Sequence, residues 1–335
     1  MNHKPRIKDI AVKAGVSPTT VSRALSGSGL VAEPTLSQIR DIARLMGYYP
    51  NISARNLRTQ KTMSVLIVVR DIGNPFYLNI FKGAENAARD AGYSILMANT
   101  EDDPKKEADY FDMVSHGHAD GMILMTGKMP HQCQIPEDTA QKVLIALEMI
   151  DGADFTHVII DNEAASHKVI EHLVGLGHKK IAHISGPVPE GMSIRRRAGF
   201  ENAMAKFGLP IPQDYIQRGA FSYQSGEEAC RKLLQLDDRP TAIYAANDEM
   251  AFGAIRAAKT MGLSIPRDLS IVGFDDIYLA DGFVPALTTI HQPCMEIGRC
   301  AMNRLLAHLT GENPKIETIT IPTEIIIRET TAPPV

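Results

Sequence analysis

At 335 residues the chain is too long for one ordinary hydrophobic core, and a small domain beside a two-lobed body is the expected division. Its four cysteines, Cys133, Cys230, Cys294 and Cys300, lie far apart with no Cys-x-x-Cys pair, which argues for reduced thiols against a disulfide scaffold or zinc site. The net charge of −4 hides an asymmetry: residues 1–61 hold ten Lys or Arg against three acids, a balance of +7, so the remainder carries −11. A basic arm on an acidic body suits a nucleic-acid partner. The polar start and the lack of any run of 18 apolar residues argue against a signal peptide or membrane span, so a soluble, cytoplasmic protein with no membrane association is expected.

The first elements are two short helices joined by a tight turn. Ile7, Ile10, Ala11 and Ala14 fall on one helical face, and Gly15 supplies the backbone freedom a sharp turn needs. Ser17 is a favoured N-cap and Pro18 suits the first helical position. Val21, Ala24 and Leu25 then face the first helix, which leaves Thr19, Thr20, Ser22 and Arg23 for solvent or a partner. This is the pattern of a helix-turn-helix with a donor-rich second helix; a plain helical hairpin shares its apolar spacing, and the basic charge favours DNA. After a Ser-Gly loop, Leu36, Ile39, Ile42, Ala43 and Met46 predict a third helix over Glu33 to Met46 that closes a small core. Asn51 to Arg58 is short and basic, too short to hold a helix alone.

The segments Ile7-Lys8-Asp9-Ile10-Ala11, Ala14-Gly15-Val16-Ser17, Thr20-Val21-Ser22-Arg23-Ala24-Leu25 and Gly47-Tyr48-Tyr49-Pro50-Asn51 closely resemble the DNA-binding end of the lactose-repressor (LacI/GalR) family of bacterial regulators. Further matches run to residue 329. The resemblance implies an all-α helix-turn-helix domain at 1–50, a hinge helix at 51–61 and a two-lobed α/β effector domain like periplasmic binding proteins. Residues 62–162 with 294–321 would form one lobe, and 163–292 with 322–335 the other. It further implies a homodimer on double-stranded, pseudo-palindromic operator DNA. Arg23, Thr19 and Thr20 would meet base edges or nearby phosphates, Ser17 and Ser22 phosphates, and Pro18 and Thr19 fall where the family varies its operator choice. Asn51, Ala54, Arg55 and Leu57 would belong to the hinge, with Leu57 wedged into the minor groove; a bent duplex offsets the few kcal/mol of unstacking by meeting more protein.

From Met63 onward short continuous apolar runs alternate with amphipathic helices. The runs are 64–69, 93–97, 121–125, 143–147, 158–160, 180–184, 241–245 and 269–274. Strands buried on both faces lose alternation, so two parallel sheets covered by helices are expected. Glu101-Asp102-Asp103-Pro104-Lys105-Lys106 reads as a solvated loop.

In open α/β sheets ligands sit beyond the carboxyl ends of strands, and those positions are polar here: Glu148, Asp161, Asn162, Asn247, Asp248, Asp275 and Asp276. Any one could be a helix cap or turn residue, the reading given to Asp248 and Asp276. The family resemblance places Asp161, Arg196, Asn247 and Asp275 on a small-molecule effector, Arg196 within Arg-x-Ala-Gly-Phe, and adds Phe76 and Tyr77 of the Asn-Pro-Phe loop and Phe221 as aromatic walls. Met125 and Glu148 also fall at strand ends and complete the candidate pocket. Acids, one Arg and an aromatic plate suit a sugar or glycoside, the commoner effectors of such regulators; a nucleoside or purine offers hydroxyls and a flat base to the same groups.

An enzyme acting on sugars or nucleosides through paired carboxylates, such as Asp275 with Glu148, is the competing class. No nucleophile motif, metal cluster or phosphate loop supports it: His167 and His172 are five apart, and His116 with His118 reads as solvated surface. No cofactor or metal is expected. An exported binding protein with the same body is disfavoured by the basic N-terminal domain.

Overall fold

The computed structural model describes residues 5–25, 29–49, 56, 60–129, 137–150, 154–312 and 315–335. The chain divides into two units, Met1–Thr62 and Met63–Val335.

In the first unit, α1 (Ile7–Ala14), α2 (Pro18–Leu25) and α3 (Thr35–Leu45) enclose a core of Ile10, Ala11, Ala14, Val21, Ala24, Ile39 and Ala43. Gly15 ends α1 in the left-handed conformation at φ 67°, which turns the chain directly into α2. The third helix starts two residues later than its periodicity suggests. Glu33 lies outside α3, and its carboxylate accepts the Ser37 N–H at 3.1 Å, satisfying one of the first-turn donors.

The second unit begins with β1 (Ser64–Val69), followed by α4 (Phe76–Asp90), β2 (Ser94–Asn99), α5 (Pro104–Ser115), β3 (Gly121–Leu124), β4 (Val143–Ala146) and β5 (Thr156–Ile160). It continues with α6 (Asn162–Gly175), β6 (Ile181–Ser185), α7 (Gly191–Lys206), β7 (Ile216–Arg218), α8 (Tyr223–Leu234), β8 (Ala242–Ala245), α9 (Asp248–Thr260) and β9 (Ser270–Val272). It closes with β10 (Thr289–His291), α10 (Cys294–Thr310), β11 (Thr318–Ile321) and β12 (Glu324–Ile326). One parallel sheet has the order β11-β5-β4-β3-β1-β2 and a second has β7-β6-β8-β9; β10 and β12 form an antiparallel ribbon.

The first sheet thus draws strands from 64–160 and from 318–321, while the second lies wholly within 181–272. β1 shows why its run lacks alternation: Val65, Ile67 and Val69 join the core continuous with α4 and α10, whereas Leu66 and Val68 join a separate core under α5. Both faces of the strand are buried, so both parities are apolar. The run at β2 differs. It is an edge strand, and Leu96 and Met97 remain about two-fifths exposed.

The expected solvated loop at 101–106 is in part a helix. Asp103 caps α5 by accepting the Lys105 N–H at 2.9 Å, and Pro104 takes the first helical position. Asp102 and Glu101 precede it with φ of 61° and 52°. Among the described residues no helix is long and apolar enough to cross a membrane. Cys230, Cys294 and Cys300 are free thiols; Cys133 lies outside the described residues.

Candidate functional site

In the second unit a cleft gathers residues that follow the strands of both sheets. Arg70 follows β1, Met125 and Thr126 follow β3, Glu190 and Met192 lie beyond β6, Phe221 follows β7, Asn247 follows β8 and Asp275 follows β9. Asn74, Phe76, Tyr77 and Arg196 complete a lining whose empty space, counted to its opening on solvent, is about 460 Å³. That lining, aromatic walls with a few convergent polar groups, is that of a small-molecule site. The parallel topology does the gathering, because within each of the two parallel sheets the strands point their carboxyl ends to one side.

The floor is a buried charge pair. Arg196 enters from α7, where its Nε donates to Asn162 Oδ1 at 2.9 Å and its Nη1 to the Ala246 carbonyl at 2.5 Å. The guanidinium lies 3.6 Å from the centroid of the Phe274 ring and 3.6 Å from Asp275 Oδ1. Asp275 also accepts from Gln292 Nε2 at 2.7 Å, yet burial pushes its carboxyl well above the ordinary aspartate range despite the neighbouring arginine. Asp275 stands at φ 122°, Asp276 at 57°, and Phe221 and Leu147 at 59° and 73°. Left-handed backbone is strained for Phe and Leu, and here it turns the strand ends sharply beside the cleft.

Asn247 holds part of that strain in place. Its amide oxygen accepts the Met250 N–H at 3.0 Å as the cap of α9, and its amide nitrogen donates to the Phe221 carbonyl at 3.1 Å. Phe221 therefore presents its ring to the cleft from a backbone fixed by the next strand. Phe76 and Tyr77 contribute an edge-to-face pair at 5.5 Å, and burial raises the Tyr77 phenol so that it stays a neutral hydrogen-bonding group.

Seven of the nine sequence-nominated effector residues, Phe76, Tyr77, Met125, Arg196, Phe221, Asn247 and Asp275, line this cleft. Glu148 and Asp161 do not; they line a neighbouring hollow of about 730 Å³, open to solvent, with Leu147, Asn162 and Arg195. Asp161 is exposed and caps α6 by accepting the Ala164 N–H at 2.9 Å, so its carboxylate serves the helix dipole and its orphan donors. Glu148 is buried in a slot where a Cβ on Gly127 or Gly191 would collide with it, and its Oε1 accepts the Met192 N–H of α7 at 3.3 Å. Burial first, with help from nearby Glu190, raises its carboxyl to about 7 against the pull of Arg196 and Arg195.

Asp248 and Asp276 are not caps. Asp248 is fully buried and accepts from the Ile277 N–H at 2.9 Å and the Thr289 hydroxyl at 2.5 Å, while Asp276 pairs with Arg328 and His291. Arg70, Thr126, Glu190 and Met192 escaped the sequence reading. The first two directly extend strand-end segments, and the strand-end rule could have found them; Glu190 and Met192 lie five and seven residues past β6, beyond its reach.

On the helical unit, Ser17, Pro18, Thr19 and Arg23 are exposed, and Thr20 and Ser22 half-buried. Ser17 caps α2 as expected, its Oγ accepting the Thr20 N–H at 3.1 Å, and the two hydroxyls bond at 2.8 Å. Those hydroxyls are thus pre-oriented at the helix start, where free N–H groups favour an anion such as phosphate. The hinge residues Asn51, Ala54, Arg55 and Leu57 lie outside the described residues.

Residues 6–51 match the family model of bacterial regulatory proteins, lacI family, and residues 170–331 match a periplasmic binding protein-like domain. The HTH-type transcriptional repressor CytR of Escherichia coli K12 is 36% identical over 97% of this chain and 96% of its own. The lac repressor dimer bound to operator and the anti-inducer ONPF superposes with a TM-score of 0.85 at 25% identity, over 98% of this chain and 100% of that one. A transcriptional regulator CelR–cellobiose complex superposes at 0.72 with 26% identity, over 97% and 99% of the two chains. The helix-turn-helix unit, the two-sheet body and a relative matched nearly end to end establish that the chain belongs to the lacI family of bacterial regulatory proteins.

Proposed function

We propose that the chain represses transcription as a homodimer on a pseudo-palindromic operator and that a sugar or glycoside, bound in the cleft, sets its operator affinity. One observation carries this reading: the buried Arg196–Asp275 pair with Asn247 beside it and Phe221, Phe76 and Tyr77 as walls. A carboxyl, a guanidinium and an amide offer acceptors and donors to vicinal hydroxyls, and an aromatic face receives the apolar side of a sugar ring. A lac repressor dimer on operator and a regulator holding cellobiose among the structural relatives support the same assembly and ligand class. Thr19, Thr20 and Arg23 meet base edges or phosphates, Ser17 and Ser22 phosphates, and Leu57 wedges the minor groove. An effector that favours one body state changes operator affinity by its differential binding; a 100-fold change needs only about 2.7 kcal/mol.

The test is thermal stability against sugars, glycosides, nucleosides and purines, each hit repeated with Asp275→Asn. At 100 times its dissociation constant a ligand adds about 2.7 kcal/mol, enough to move the midpoint by several degrees. A sugar hit abolished by the substitution supports the reading. Stabilisation by nucleosides alone would replace the ligand class, and product formation would reopen enzymatic chemistry.

A further inference from the structure

The wall of the cleft holds a charge arrangement that the effector floor does not require. Arg70, after β1, and Lys128, after β3, belong to the first sheet; Glu190 stands at the start of α7, behind the second. Glu190 Oε1 lies 3.0 Å from Lys128 Nζ and 3.7 Å from Arg70 Nη1, and its side chain is only 10% exposed. Although it occupies the N-cap position of α7, Glu190 makes no side-chain bond to that helix. Its carboxylate is spent across the cleft instead, while the Met192 N–H it leaves is accepted by Glu148 from the first sheet. Arg70 also lies 5.3 Å from the Phe221 ring centroid, so the same cation touches the second half twice.

We infer that Glu190 is a specificity-determining residue: by occupying Arg70 and Lys128 it restricts the cleft to uncharged effectors and rejects their phosphate esters. This rests on the reading of the cleft as an effector site. Arg70 lines the cleft, and Lys128, outside that lining, stands against the same Glu190; without the carboxylate the two cations would make a ready anion site, since Arg and Lys are the natural partners of phosphate. Three carboxylates face them. Glu190 bonds Lys128; Asp102 lies 2.8 Å from Lys128 and 3.8 Å from Arg70; and Glu107 is buried close to both Lys128 and Asp102. A phosphate brought to this wall must displace Glu190 and then sit beside it and Asp102, like charges that already share its cations. An uncharged hydroxyl can share the existing network without breaking it.

The experiment uses the full chain as wild type, Glu190→Gln and Glu190→Gln with Lys128→Met. The probes are inorganic phosphate and three matched pairs: ribose with ribose 5-phosphate, glucose with glucose 6-phosphate, and uridine with uridine 5′-monophosphate. Binding is read by thermal shift and titration calorimetry. Wild type should ignore phosphate and prefer the free member of any pair it binds by about tenfold or more, some 1.4 kcal/mol. Glu190→Gln should erase that preference and gain stabilisation by phosphate, and the added Lys128→Met should remove the gain. A simple loosening of the cleft would weaken both members of a pair equally, leaving the ratio unchanged, and would overturn the assignment. So would a wild type that binds esters as tightly as the free compounds, which needs no variant to observe. If no pair binds any protein, the effector classes tried are wrong, and the phosphate arm alone still decides the role of Glu190.

Discussion

The helical unit and the cleft of the α/β body place their functional side chains by opposite means. In the helical unit the candidate DNA-reading residues from Ser17 to Arg23 lie within seven positions, and one small core of seven buried apolar residues fixes them all. In the body the lining runs from Arg70 to Asp275, brought together only when two parallel sheets form and their strand ends converge. The first site is a local property of the chain; the second is a property of topology. That difference says where each is fragile: the unit through its slim core, the cleft through buried polar groups whose partners are distant in sequence.

The largest effects should come from the cleft floor. Arg196→Met leaves Asp275 buried without its guanidinium partner, and breaking such a pair costs about 3–5 kcal/mol. Denaturant unfolding followed by circular dichroism, the chain having no Trp, should register that loss together with abolished effector binding. A variant of wild-type stability would mean that the pair is not buried as described. Next, Ile39→Ala removes a fully buried side chain from the small core at a cost of about 2–5 kcal/mol. Operator binding should fail while effector affinity persists, and loss of both would erase the contrast between a local and a topological site.

Leu57→Ala should lower specific operator affinity while sparing effector binding, as read by gel shift and calorimetry; unchanged affinity would remove the wedge. The α/β body also carries a pH effect, beside the cleft and outside its lining. The Glu148 carboxyl is raised to about 7, so the folded body holds a proton that the unfolded chain has released above its ordinary value near 4.5. Stability contributed by this group is full below that value and is lost as pH rises towards 7, then levels off, a few kcal/mol in all. Subtracting the Glu148→Gln profile from wild type should give a difference that falls between pH 5 and 7; a flat difference would deny the buried carboxyl. Smallest, Arg23→Ala should reduce the salt dependence of operator binding by about one phosphate contact, with the body unaltered.

What could be read from the residues follows the same division. The helix-turn-helix was legible because Gly15, Ser17, Pro18 and the apolar spacing are all local signals, and each appears where expected. The buried strands were legible as apolar runs, whereas Ile216–Arg218, Thr289–His291 and Thr318–Ile321 are too short for a pattern of their own and owe their conformation to neighbours. The strand-end rule reached Met125, Asn247 and Asp275, and the family resemblance added Phe76, Tyr77, Arg196 and Phe221, but the rule could not tell a carboxylate aimed at the cleft from one turned back to its own helix, as Asp161 is. Nor could it foresee Glu190, whose partners lie 62 and 120 residues away in the chain. The six-residue charged stretch at 101–106 misled because a helix's first turn, rich in acid with Pro at its start, has the same composition as a loop.

If occupancy of the cleft governs operator binding, the affinity of the full chain for labelled operator must respond when any stabilising effector is titrated in. Operator affinity should change in step with effector saturation in wild type and not at all in Asp275→Asn. An effector that stabilises the body yet leaves operator affinity unchanged at saturation would contradict it.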